Sequence, residues 1–187
     1  KYGKTVDLSA WGWSDGQNTW TWRGKEGKKV DIDVYADADE VELFVNNKSL
    51  GKKIVGEDYP FMAKFQATYE PGEIKALATK DGETYVQTLR TAGKPKLKAS
   101  VENTEIKAMT GVSYINISLE DENGTIDPTA KATVNVKIEG NGGVLAGFGS
   151  ADPMSHENFT GNVFNTYRGR LLAVVRGLED SELTVKI

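Results

Sequence analysis

The stretch Val30-Asp31-Ile32-Asp33-Val34 alternates aliphatic and acidic residues without a break. Successive side chains of an extended chain point to opposite faces, so the aliphatic groups face one way and the carboxylates the other. That is the pattern of a strand with one dry side. The same period recurs in Val41-Glu42-Leu43-Phe44-Val45, in Phe61, Ala63, Phe65, Ala67 and Tyr69, and in Ile74, Ala76 and Ala78. Later runs are Leu97, Ala99 and Val101, then Val112 to Leu119, then Val134, Val136 and Ile138. The chain closes with Leu171 to Val175 and with Leu183, Val185 and Ile187. Turn signals separate the runs: Asn46-Asn47, Pro71-Gly72, Asp81-Gly82, Asn123-Gly124 and Asn141-Gly142-Gly143. Asn-Gly and Asp-Gly suit tight hairpins because both central residues accept positive φ. No window of about eleven residues sustains a helical period, and short strands at this spacing predict an all-β sandwich or barrel with minimal helix.

The segment Thr91-Ala92-Gly93-Lys94-Pro95 joins two such sets of strands, and Gly followed closely by Pro marks a domain joint. The expected organisation is two tandem immunoglobulin-like β-sandwiches, residues 1–93 and 94–187. Each sits near the lower size limit for a self-sufficient core, so a sizeable interface, between the two or with further protein, is expected.

Composition excludes several chemistries. The 187 residues carry 23 Lys+Arg and 27 Asp+Glu, a net charge of −4, with −2 in each half. Nucleic acid and anionic membranes both demand a basic surface, so neither is an expected partner. No apolar run reaches the roughly 18–20 residues that cross a bilayer. Cysteine is absent and His156 is the single histidine, which removes thiolate zinc sites, disulfides, Cys nucleophiles and most Ser-His arrangements. Lack of cysteine suits a bacterial cytoplasmic protein and an exported one equally. The opening Lys1-Tyr2-Gly3-Lys4 has no start methionine or signal-peptide core, so the chain is expected to be a piece of something longer.

The remaining motifs yield no catalytic, cofactor or metal site. Glu120-Asp121-Glu122-Asn123-Gly124 resembles part of a calcium loop, yet the pattern needs an oxygen ligand where Leu119 sits, so an acidic hairpin tip is expected. Asp37-Ala38-Asp39-Glu40 lacks a third ligand in the same way. Asp31, Asp33, Glu40 and Glu42 lie on the polar faces of alternating strands, where nothing singles out an acid/base pair. The glycines of Gly140-Asn141-Gly142-Gly143 and Gly147-Phe148-Gly149-Ser150 fit neither phosphate-loop pattern and are expected to form turns between strands. His156 is expected in a loop.

All four tryptophans fall in one short segment, as Trp11-Gly12-Trp13 and Trp20-Thr21-Trp22. If both pairs are extended, each puts its two indoles on one face. Such a patch suits packing against a neighbouring domain, burial in the core, or stacking on a sugar ring. Trp11, Trp13, Trp20 and Trp22 are therefore the candidate interface or sugar-stacking residues.

The segment Trp20-Thr21-Trp22-Arg23-Gly24-Lys25-Glu26-Gly27, with Val41 to Gly51, Tyr69-Glu70-Pro71-Gly72-Glu73 and Leu89-Arg90-Thr91-Ala92-Gly93, resembles the immunoglobulin-like domain that follows the catalytic barrel in bacterial β-galactosidases of glycoside hydrolase family 2. Leu119 to Gly124, Leu145 to Pro153 and Thr166 to Arg176 resemble the next domain of those enzymes. In that family both catalytic glutamates sit on a (β/α)8 barrel, and no strand-helix alternation of that kind exists here. The resemblance therefore implies a chain that is not itself an enzyme: a non-catalytic accessory region of a parent hydrolysing terminal β-galactosides. Its implied partner is the upstream barrel of the same parent, with the tryptophans packed on or near it. The competing readings are a carbohydrate-binding module built on the tryptophans and a bacterial surface spacer.

Overall fold

The computed structural model describes residues 16–57 and 60–187, which divide into two compact units with the change between Thr91 and Ala92. No helix forms among the described residues. The first unit holds β1 (Lys29–Tyr35), β2 (Glu40–Val45), β3 (Lys48–Ile54), β4 (Met62–Thr68), β5 (Glu73–Lys80) and β6 (Glu83–Arg90). Strands β1 and β4 pair antiparallel as one sheet, and the other runs β3-β2-β5-β6. In the register, Val30, Ile32 and Val34 stand opposite Ala67, Phe65 and Ala63, so one face of the first sheet is wholly apolar. On β2, Val41, Leu43 and Val45 oppose Ala78, Ala76 and Ile74 of β5. These two faces form one core, in which Val41 and Leu43 are fully buried. Each aliphatic side chain so enclosed contributes about 1.5–3 kcal/mol. The acidic partners of the alternation point outward: Asp31 accepts a hydrogen bond from Gln66 Nε2 at 3.0 Å, and Glu40 pairs with Lys52 at 2.6 Å.

Two turns take the left-handed backbone their residues tolerate. Asn46 and Asn47 adopt φ of 48° and 64° between β2 and β3, and Asp81 and Gly82 adopt 51° and 83° between β5 and β6. Consecutive positive φ values match the right-handed twist of the flanking strands. Asn46 does more than turn. Its Oδ1 accepts the Glu73 N–H at 2.8 Å and its Nδ2 donates to the Pro71 carbonyl at 3.1 Å, which ties the hairpin to the Pro71-Gly72 turn.

Phe61 departs from the alternation expected of it. Its φ is 59° and it is 64% exposed, because it belongs to the loop before β4, where its carbonyl accepts the Ala36 N–H. The core-facing series begins instead at Ala63.

The second unit holds β7 (Lys96–Val101), β8 (Val112–Glu120), β9 (Thr133–Asn135), β10 (Lys137–Gly140), β11 (Gly143–Gly149), β12 (Val163–Asn165), β13 (Arg170–Gly177) and β14 (Leu183–Lys186). One sheet runs β11-β13-β8-β7, and two short pairs, β10-β14 and β12-β9, supply the facing layer. Its core joins Ile115, Ile117, Leu171, Ala173 and Val175 to Val134, Val136 and Phe164. Phe148 and Phe164 meet edge to face with centroids 6.0 Å apart.

The single strand expected through Val134, Val136 and Ile138 is broken in two. Its partner changes at Val136, from β12 on one side to β14 on the other, and the Val136 N–H donates to the Asn162 carbonyl. Asn141-Gly142-Gly143 is likewise no hairpin: it carries the chain from β10 in one sheet to β11 in the other. Gly142 is required there because a methyl group would run into the Ser181 carbonyl. Edge strand β7 presents its apolar side to an open cleft of about 1180 Å³ whose walls include Val101, Leu183 and Val185. Val101 consequently stays 46% exposed.

Phe164→Ala is expected to destabilise the second unit by about 3–5 kcal/mol, since a fully buried ring leaves a cavity that its neighbours fill only in part. A urea titration monitored by near-ultraviolet circular dichroism measures this, and a loss below about 1 kcal/mol contradicts the packing described.

Candidate functional site

The segment after Gly16 enters the first sandwich with Trp20 innermost. Its indole is 2% exposed, lies edge to face with Tyr69 at 5.2 Å, and donates Nε1–H to the Glu70 carbonyl at 3.1 Å. Tyr69 is fully buried at the end of β4 and binds the same segment twice. Its hydroxyl donates to the Trp20 carbonyl at 3.3 Å and accepts the Trp22 N–H at 3.1 Å. The Thr91 hydroxyl donates to the Trp20 carbonyl as well, at 2.7 Å, and accepts the Gly72 N–H at 3.0 Å. A buried hydroxyl with a donor and an acceptor both matched fixes its neighbours without leaving a polar atom unpaired. Residues 20–22, 69–72 and 91 are thereby fastened together.

In this arrangement Trp20 is a core residue. With its ring enclosed and its N–H committed, Trp20 has no face left for a sugar or a partner. Trp22 is half-buried and packs against the same core. Trp11 and Trp13 lie outside the described residues. Tyr69 and Thr91, which do the fastening, are absent from the expected set. The signal for Tyr69 was its position closing an alternating run just before Pro71-Gly72, whereas Thr91 carries no local signal because its partners are distant in sequence.

The second unit has its own polar fastening at Asp121. Its Oδ2 accepts the Gly93 N–H at 2.7 Å, and its Oδ1 accepts the N–H groups of Asn123 and Thr125, each at 2.9 Å. Glu120-Asp121-Glu122-Asn123-Gly124 is thus a turn whose buried carboxylate faces backbone donors in place of a cation. The Gly93 N–H above all, then that of Thr125, holds the Asp121 carboxyl below the usual carboxylate range against the opposing effect of burial. Glu139, flanked by Lys137 and Lys186, is also shifted down. A glycosidase acid needs the opposite shift, toward the protonated form. Asp127 is fully buried and accepts both the N–H and the hydroxyl of Thr129. His156 lies exposed in the loop between β11 and β12. Among the described residues no group of three His, Asp or Glu side chains could hold a metal ion.

Comparison with known proteins places these units. Residues 27–86 match a domain family of unknown function, DUF4982, and residues 97–187 match the glycoside hydrolase family 2 C-terminal domain 5. The chain is 32% identical over 159 residues to the β-galactosidase BoGH2A of Bacteroides ovatus, covering 83% of this chain and 18% of that protein. It is 29% identical over 175 residues to a β-glucuronidase of Formosa agariphila, covering 88% of this chain and 17% of that one. A crystal structure of a glycosyl hydrolase family 2 member from Bacteroides cellulosilyticus superposes with a TM-score of 0.89 at 36% identity, over 97% of this chain and 24% of that one. The chain therefore spans about a fifth of the length of the curated relatives it matches.

Two outcomes test the fastenings. Tyr69→Phe deletes one hydroxyl, removing the acceptor it offers the Trp22 N–H and leaving the Trp20 carbonyl to Thr91 alone, with an expected loss of about 1–3 kcal/mol in denaturant. For Asp121, a pKa lowered on folding means that its contribution is complete above the ordinary carboxylate value, about pH 4, and is lost as pH falls through the lower folded value. Asp121→Asn should therefore reduce stability at pH 7 and flatten the acid limb below about pH 4. Equal acid limbs in the variant and the parent chain count against this role.

Proposed function

We propose, for a chain that belongs to the C-terminal region of glycoside hydrolase family 2 enzymes, a non-catalytic supporting role in a glycosidase acting on terminal β-galactosides. The observation carrying it is the use to which this chain puts its buried polar groups. Tyr69, Thr91 and Asp121 all bind backbone, so the protein's enclosed hydrogen-bonding capacity goes into holding two sandwiches in shape. Asp121 and Glu139 are both displaced toward the anion, whereas hydrolysis of a glycoside requires one carboxyl kept protonated beside a second that is charged. The galactoside assignment draws on the name of the Bacteroides ovatus relative and its 83% coverage of this chain. Rigid sandwiches of this kind brace a larger domain by presenting a preformed surface, which costs little ordering entropy on contact.

The isolated chain should show no turnover of a chromogenic β-galactoside, and the glycosidase produced without it should inactivate faster on heating while its KM stays nearly unchanged. Hydrolysis by the chain alone, or unchanged heat resistance after its removal, would overturn the reading.

A further inference from the structure

The two layers of the second unit stay apart along one side. Strand β7 pairs only with β8 and β14 only with β10, so each ends its layer with an edge that has no ladder partner among the described residues. Ala99 and Val101 of β7 stand on the same face as the buried Ile117 and Ile115 of β8, yet all 6 residues of β7 are exposed. The facing layer is one strand short, and the cleft of about 1180 Å³ fills that position. Ile115 and Val175 lie at its base, with Val101 on the β7 side and Leu183 and Val185 on the β14 side.

The rim is acidic. Glu105 stands on the loop after β7, and Glu179, Asp180 and Glu182 stand on the connection from β13 to β14, all four exposed. Lys107 is the one basic residue lining the cleft, so the lining sums to 1 − 4 = −3, against −4 for the whole chain. None of the four acids forms an ion pair among the described residues. Lys186 of β14 is held by Glu139, as is Lys137. These acids form no metal centre, because no group of three among the described residues could hold an ion. The volume also exceeds the roughly 300–1,000 Å³ of small-molecule pockets.

An occupant must therefore offer main-chain partners to an open edge, aliphatic side chains at alternate positions, and positive charge. An extended segment alternating lysine or arginine with aliphatic residues offers all three, since successive side chains of a strand point to opposite faces. A second copy answers the charge poorly. It carries the same acidic cleft and the same net charge of −4, and its cationic strand β7 is already zipped to β8 with Lys98 engaged by Glu120. The rest of the parent polypeptide also fits poorly, because permanent contacts are predominantly hydrophobic, whereas four uncompensated carboxylates suit a contact that forms and releases.

We propose that the cleft binds an extended segment of a separate protein in which lysine or arginine alternates with aliphatic residues. The segment adds to the free edge of β14, its aliphatic side chains enter against Val101, Leu183 and Val185, and its cations reach Glu105, Glu179, Asp180 and Glu182. This binding is independent of the supporting role.

Fluorescence anisotropy of a short labelled peptide alternating lysine and valine, titrated with the 187-residue chain, tests this. It should bind at least about tenfold more tightly than a peptide alternating glutamate and valine, and than one holding the same lysines and valines in two separate blocks. Binding should weaken as salt rises. Glu179→Lys combined with Glu182→Lys should weaken it at least about tenfold while the melting temperature stays nearly unchanged, both side chains being exposed. Amide hydrogen exchange along β14 should slow when the peptide is added. No saturable binding up to about 1 mM overturns the proposal. So do equal binding of the block peptide, which indicates charge without strand addition, and unchanged affinity in the double variant. Self-association of the chain that Val101→Asp abolishes overturns it by placing a second copy in the cleft. Failure of the peptide to bind the whole glycosidase overturns it by placing another part of the parent there.

Discussion

A strand in a two-layer sandwich has one dry face, and that restriction governs both units of this protein. It makes Val30, Ile32 and Val34 point inward while Asp31 hydrogen-bonds Gln66 outside. It also divides labour between the layers: β2 and β5 seal the first core from one side, and β1 and β4 seal it from the other. A residue that breaks the period must then be explained by its surroundings. Phe61 breaks it by falling in a loop, and β13 breaks it by carrying Leu172, 39% exposed, and the half-buried Val174 on its outer face.

Apolar burial is non-directional, so it brings sheets together without deciding where the connecting segments lie. Hydrogen bonds with matched partners make that decision. In the first unit Tyr69 and Thr91 converge on the backbone of Trp20 and Trp22, and in the second Asp121 gathers three backbone N–H groups from Gly93, Asn123 and Thr125. In both cases a polar side chain with limited exposure makes most of its bonds to main chain, which leaves little reactive capacity. A protein that spends its buried hydroxyls and carboxylates this way is organised for rigidity, which is what the proposed supporting role asks of it.

The resemblance in the turn and strand-end residues and the family matches fall on the same two segments, and the physical basis of that agreement is local. Asn46, Asn47 and Asp81 take positive φ that few residues tolerate, so turn positions leave a durable mark in sequence. The tryptophans leave a weaker one. Clustering marked them as important without distinguishing an indole sealed under Tyr69 from one presented to a partner, because that difference depends on residues about fifty positions away.

Sequence alone determined the all-β class and most of the strand positions, along with the left-handed hairpin turns. Each of these depends on alternation or on the φ tolerance of one or two adjacent residues. Tertiary structure decided which strands share a sheet, the break at Val136 where the pairing partner changes, and the passage of Asn141-Gly142-Gly143 between layers. It also decided that Trp20 is core, that Asp121 faces amides, and that a cleft stays open between β7 and β14. Those outcomes are set by contacts between segments far apart in the chain, and a periodicity read along one strand carries no record of what lies across from it.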